Sequence, residues 1–66
     1  MKGNVFSVRE FEIIRLIEAG LDSEKIAEKL FLSVHTVNTH RRNMLEKSGR
    51  ASIADLIYYL KERGVL

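Results

Sequence analysis

Lys25-Ile26-Ala27-Glu28-Lys29-Leu30-Phe31-Leu32-Ser33-Val34-His35-Thr36-Val37-Asn38-Thr39-His40 is the stretch whose reading decides the fold. Ile26, Ala27 and Leu30 fall on one face of a short helix that Asp22 or Ser23 caps; Lys25, not Glu, follows three residues after Asp22, so no reciprocal capping box forms there. Phe31-Leu32 make an apolar turn, and Ser33 caps a third helix that runs from Val34 to about Lys47 and stops at Gly49.

The flanking segments carry equally explicit signals. Upstream, Ser7-Val8-Arg9-Glu10 is a capping box, with Phe6 and Phe11 at the positions of a hydrophobic staple. Phe11, Ile14, Leu16 and Ile17 then recur at roughly helical period, and Ile13 broadens the stripe. Gly20 stops this helix, and Leu21 can fold back on Leu16 as in a Schellman motif. Downstream, Ser52-Ile53-Ala54-Asp55 is a second box-like start, Ile53, Leu56, Ile57 and Leu60 share one face, and Gly64 ends the run. Hairpin dipeptides, sustained alternation and proline are all missing, which disfavours strands and favours helices. The expectation is an all-α fold with helices over about 8–19, 23–30, 34–47 and 53–63, forming one domain over 1–66 with 1–5 as a loose N-terminal segment.

Composition narrows the function classes. The chain has 66 residues, 45% of them hydrophobic and 30% charged, which suits one small globular domain and not a disordered one. It has no cysteine, hence no disulfide and no thiolate metal site, in keeping with a reducing cytoplasm. The longest apolar run, Leu56 to Leu60, is far too short to span a membrane, and Met1-Lys2-Gly3-Asn4 opens no signal peptide.

The formal charge of +2 is unevenly spread. Residues 1–32 carry five basic and six acidic side chains, residues 33–50 four and one, and residues 51–66 two of each. The excess sits in one eighteen-residue segment, with His35 and His40 inside it, as expected of a segment that meets a polyanion.

That segment is the third helix and its exit. At about 100° per residue, Val37, Met44, Ser48 and Arg41 cluster on the inward side with Leu45 and His40 at its margins. Asn38, Arg42, His35 and Thr39 face away, all within the N-terminal two and a half turns. Arg can bond guanine bidentately, Asn can bond adenine, and a Thr methyl can touch the thymine methyl. Glu46 also faces outward, a turn later, where its charge opposes deep insertion. Two closely spaced helices, the second presenting such a face, form a helix-turn-helix that would enter the major groove of double-stranded DNA. Arg41 lies nearer the core face, so its stem covers apolar surface while its head reaches phosphate or water; Lys25 could flank the groove.

Ser7-Val8-Arg9-Glu10, Ala19-Gly20-Leu21, Lys25-Ile26-Ala27-Glu28-Lys29-Leu30, Leu32-Ser33-Val34-His35-Thr36-Val37-Asn38-Thr39-His40 and Asn43-Met44-Leu45-Glu46-Lys47 together resemble the LuxR-type helix-turn-helix family. This is the output domain of LuxR, NarL, FixJ and GerE-like bacterial transcription regulators, and the likeness covers about residues 6–66. The resemblance implies four helices, with the second and third forming the motif. It implies base contacts at Asn38, Thr39 and Arg42 and phosphate contacts near Ser23, Thr36, His40 and Lys47; Lys25, Ser33, His35 and Arg41 are further candidates for the backbone, read from their place on or beside the third helix. The chain departs from the family at Asn38, commonly Lys or Arg, at Glu24, frequently Lys, at Ile53, often Arg, and at Ser48, usually Leu. The family pairs through its fourth helix; here Tyr58 points away from the apolar seam with Asp55, Tyr59 and Glu62 beside it, which implies a weak homodimer interface. RNA polymerase and a preceding receiver or sensor domain are further partners that the resemblance implies.

Other chemistries find little support. His35 and His40 stand five apart, about 140° around the helix, whereas paired helical metal ligands use a spacing of four. No acid orients a histidine toward a nucleophile and no glycine-rich phosphate loop occurs, so neither enzyme activity nor a cofactor is expected. The rival readings are a helical protein-interaction module that docks through Tyr58 and the acidic first helix, and a sigma-factor-like promoter-binding module.

Overall fold

A computed structural model describes residues 6–66; the N-terminal segment 1–5 lies outside the described residues. Four helices follow one another, α1 (Val8–Glu18), α2 (Ser23–Leu30), α3 (Val34–Ser48) and α4 (Ile53–Glu62), and no strand occurs among the described residues. The all-α reading holds, with ends that differ from the expected ones by one residue because Ala19 and Arg63 are C-caps and Ser48 continues α3 up to Gly49.

The local signals act as chemistry requires. In α1 the Ser7 hydroxyl accepts from the Glu10 amide at 3.1 Å while a Glu10 carboxylate oxygen accepts from the Ser7 amide at 3.0 Å. Phe6 and Phe11 meet edge to face with centroids 5.9 Å apart, closing the staple. At the other end the Leu21 amide donates to Leu16 and the Gly20 amide to Ile17, the two bonds of a Schellman motif, with Gly20 at φ 100°. Asp22, not Ser23, caps α2, its carboxylate accepting from the Lys25 amide at 2.9 Å. At α4 the Asp55 carboxylate reaches back to the Ala51 amide at 3.3 Å, one residue before the cap, so this start is only half a capping box.

Each helix contributes two apolar residues to the buried core: Ile13 and Ile14, Ile26 and Ala27, Val37 and Met44, Leu56 and Leu60. The centre of α1 is shifted from the expected stripe. Ile13 is fully buried, whereas Phe11 and Leu16 are half-buried, because Glu10, Ile13 and Ile14 lead the i, i+3, i+4, i+7 line that faces the bundle, and Ile17, at its end, is half-buried. Glu10 therefore enters the core along with the isoleucines, at 4% exposure.

The turn between α2 and α3 departs from a simple apolar connection. Leu32 packs against the core, but Phe31 is 93% exposed and adopts φ 59°, ψ 43°, the left-handed conformation that ends α2. An L-residue there costs about 1–2 kcal/mol that glycine does not incur, and the ring recovers little by burial. Replacing Phe31 by Gly is expected to stabilise the fold by up to about 1 kcal/mol, a rise in melting temperature of about 4–8 °C for a domain of this size. A thermal melt in which the variant unfolds below the parent would disprove that ring's small contribution.

Candidate nucleic-acid interface

The surface in question is built on the N-terminal half of α3, anchored through Val37 and Met44 and braced by α2. The Ser33 hydroxyl accepts from the Thr36 amide at 3.0 Å and donates to Thr36 Oγ1 at 2.9 Å, so the cap is doubly tied. The first turn of α3 carries no acidic residue, so the partial positive charge of its exposed amides is uncompensated and suited to an anion.

On the outer face His35, Asn38 and Arg42 are exposed and Thr39 is half-buried. Thr39 Oγ1 donates to the His35 carbonyl at 3.0 Å, which occupies its proton within the helix. Asn38 is not an independent side chain: its Oδ1 accepts from the Ser23 hydroxyl at 2.8 Å, joining the start of α2 to α3. His40 is half-buried at the margin, as the helical wheel places it, Arg41, placed by the wheel on the inward side, is also half-buried, and Lys25 is exposed. Among the described residues no carboxylate lies within ion-pairing distance of Arg41 or Arg42. Their charges face solvent without internal compensation, the arrangement that attracts a polyanion.

Lys47 stands apart from the others. Its Nζ lies 2.6 Å from Glu10 Oε1 and 5.7 Å from the centroid of the Phe6 ring. Burial pushes the Glu10 carboxyl up, but the hydrogen bonds from Lys47 and the Ser7 amide and the charges of Lys47 and His40 outweigh it and hold the group below its ordinary value. The Lys47 side chain keeps 37% exposure, yet its first duty is to neutralise a carboxylate in the core. Sequence periodicity could have revealed Glu10 as inward-facing, since it precedes Ile13 and Ile14 by three and four residues; nothing local could have named its partner 37 positions away.

The fourth helix carries a further arrangement that the sequence did not disclose. Arg50 and Arg63 lie 4.4 and 4.8 Å from the centroid of Tyr59, and Arg50 Nε is 3.9 Å from Asp55. Tyr59 and Asp55 thus have partners within the chain, whereas Tyr58 is 64% exposed and Glu62 is exposed.

Among the described residues no three His, Asp or Glu side chains converge as metal ligands, and no helix is long and apolar enough to cross a membrane. The family model for bacterial regulatory proteins of the luxR family, GerE, matches residues 4–60. The oxygen regulatory protein NreC of Staphylococcus aureus strain JH9 is 40% identical over 62 residues, covering 94% of this chain and 29% of NreC. The same protein from strains Mu3 and USA300 matches to the same extent. The chain thus spans less than a third of the length of these relatives. Four capped helices, the α2–α3 pair with its exposed basic face, and a family match across most of the chain converge: this chain belongs to the luxR family of bacterial regulatory proteins.

Proposed function

We propose that this chain binds duplex DNA sequence-specifically as the output module of a bacterial transcription regulator, with α3 in the major groove. The observation that carries the reading is the outer face of α3, where exposed Asn38 and Arg42 and half-buried Thr39 stand together and no carboxylate among the described residues neutralises Arg41 or Arg42. Arg42, Thr39 and Asn38 reach base edges in this reading. Thr36, whose hydroxyl accepts from Ser33 and retains its own proton, donates to phosphate with the α3 amides, and Ser23, Lys25, Ser33, His35, His40, Arg41 and the outer part of Lys47 line the backbone path. Pairing through Tyr58 and Glu62 of α4 doubles the site. A receiver or sensor domain supplies the signal, and RNA polymerase receives the output.

Selection of bound sequences from a random duplex pool at two salt concentrations tests the reading. The expected result is an enriched motif of two half-sites whose affinity falls with salt by a log–log slope of about −0.9 per phosphate contacted. Enrichment of single half-sites would refute pairing through α4. A pool that stays random at both salt concentrations would refute specific DNA binding itself.

A further inference from the structure

Ser23 opens α2 and Asn38 lies in the second turn of α3, and the Ser23 hydroxyl donates to Asn38 Oδ1 at 2.8 Å. A carboxamide has one acceptor oxygen and two N–H donors. Bidentate reading of adenine uses both kinds on one edge, the oxygen accepting from N6–H and the nitrogen donating to N7. Here the oxygen is turned back to α2, where one of its two lone pairs takes the Ser23 proton, and the NH2 is the part of the group turned away from that contact. The base edges that complement a donor alone are those with acceptors alone: guanine presents two, N7 and O6, and thymine one, O4, beside its methyl group, whereas adenine sets its N6–H2 donor next to N7.

We propose that Ser23 is a positioning residue that holds Asn38 as a hydrogen-bond donor, so that the base facing Asn38 is selected as guanine and not as adenine. The inference rests on the reading of α3 as the groove helix. Ser23 is at liberty to play this part because its own helix does not need its hydroxyl: Asp22 caps α2 through the Lys25 amide at 2.9 Å. The contact also joins the two helices of the motif, so the orientation of Asn38 is set before any ligand arrives and does not have to be selected from free rotamers on binding.

The test compares the parent chain with Ser23→Ala and Asn38→Ala on the enriched duplex and on duplexes carrying each of the four bases at the position whose preference Asn38→Ala removes. Helical circular dichroism and thermal melts confirm that the variants fold. The parent is expected to favour guanine over adenine there by about tenfold. Ser23→Ala is expected to bring that ratio to about one or to invert it, with preferences at the positions read by Arg42 unchanged. A parent preference for adenine, or a guanine preference that survives Ser23→Ala, would overturn the inference while leaving DNA recognition intact. Specific binding that Asn38→Ala does not alter at any base pair would do the same. Failure of the parent to prefer any duplex over random DNA would remove both the inference and the reading beneath it.

Discussion

Lys47→Ala is expected to lose about 2–3 kcal/mol of folding stability, because it leaves the Glu10 carboxylate at 4% exposure without the ammonium that lies 2.6 Å from it. The figure is set below the range for fully buried pairs, since the Lys47 side chain is 37% exposed and water screens part of the attraction. A chain of 66 residues has only about 3–10 kcal/mol in all, so the variant should unfold at markedly lower denaturant concentration. Replacing both partners with apolar residues of similar size, Glu10→Leu with Lys47→Met, should recover much of the loss, because no charge is then stranded. Urea titration of the two single variants and the double variant decides the matter. Equal midpoints for the parent and Lys47→Ala would mean that the pair contributes nothing.

The same pair gives the fold an acid limit of known sign. Glu10 is held below its ordinary value of about 4.5, so its contribution is present above that pH and is lost as pH falls through the lower folded value. Glu10→Gln keeps an acceptor for the Ser7 amide but no charge to titrate. The parent should therefore lose more stability than the variant between neutral and strongly acid pH. Parallel acid-unfolding curves would assign the acid limit to other carboxylates.

Arg42→Ala is expected to weaken binding to the selected duplex by about 1–3 kcal/mol, about five- to a hundredfold, and to relax preference at one base pair. Binding to random duplex should fall far less, by the share of one cation in the backbone attraction. The separation is meaningful for Arg42 because it is exposed and in no ion pair among the described residues: under the proposed reading its loss removes a base contact and leaves the core alone. Fluorescence anisotropy with specific and random duplexes measures both effects. Equal losses on the two would reduce Arg42 to a phosphate contact.

These two residues mark how far the sequence could be read. Helix starts and stops were legible because they are local chemistry: a Ser or Asp hydroxyl or carboxylate within reach of an amide three residues on, and a glycine where the chain must turn left-handed. The apolar faces were legible through their period, and so was the outward direction of Asn38 and Arg42. Phe31 was read as part of an apolar turn because hydrophobicity suggests burial; the left-handed end of α2 instead turns the ring outward. Asp55 and Tyr59 were read as flanking Tyr58 on α4; that Arg50 and Arg63, from beyond either end of the helix, lie against them was not legible.

By itself the sequence determined four helices, the caps of all but α2, where Asp22 and Ser23 stayed open, the pair that forms the motif and the face of α3 that carries the positive charge, since each depends on residues within about four positions of one another. Only the tertiary structure decided which polar groups spend their hydrogen bonds inside the chain. Lys47 is drawn to Glu10 across 37 positions and Ser23 to Asn38 across fifteen. Those pairings depend on how α1 and α2 pack against α3, and packing brings together side chains that no local period relates. The charge on α3 was therefore visible in one dimension, while which of its cations remains available and which way Asn38 presents its donors became visible only in three.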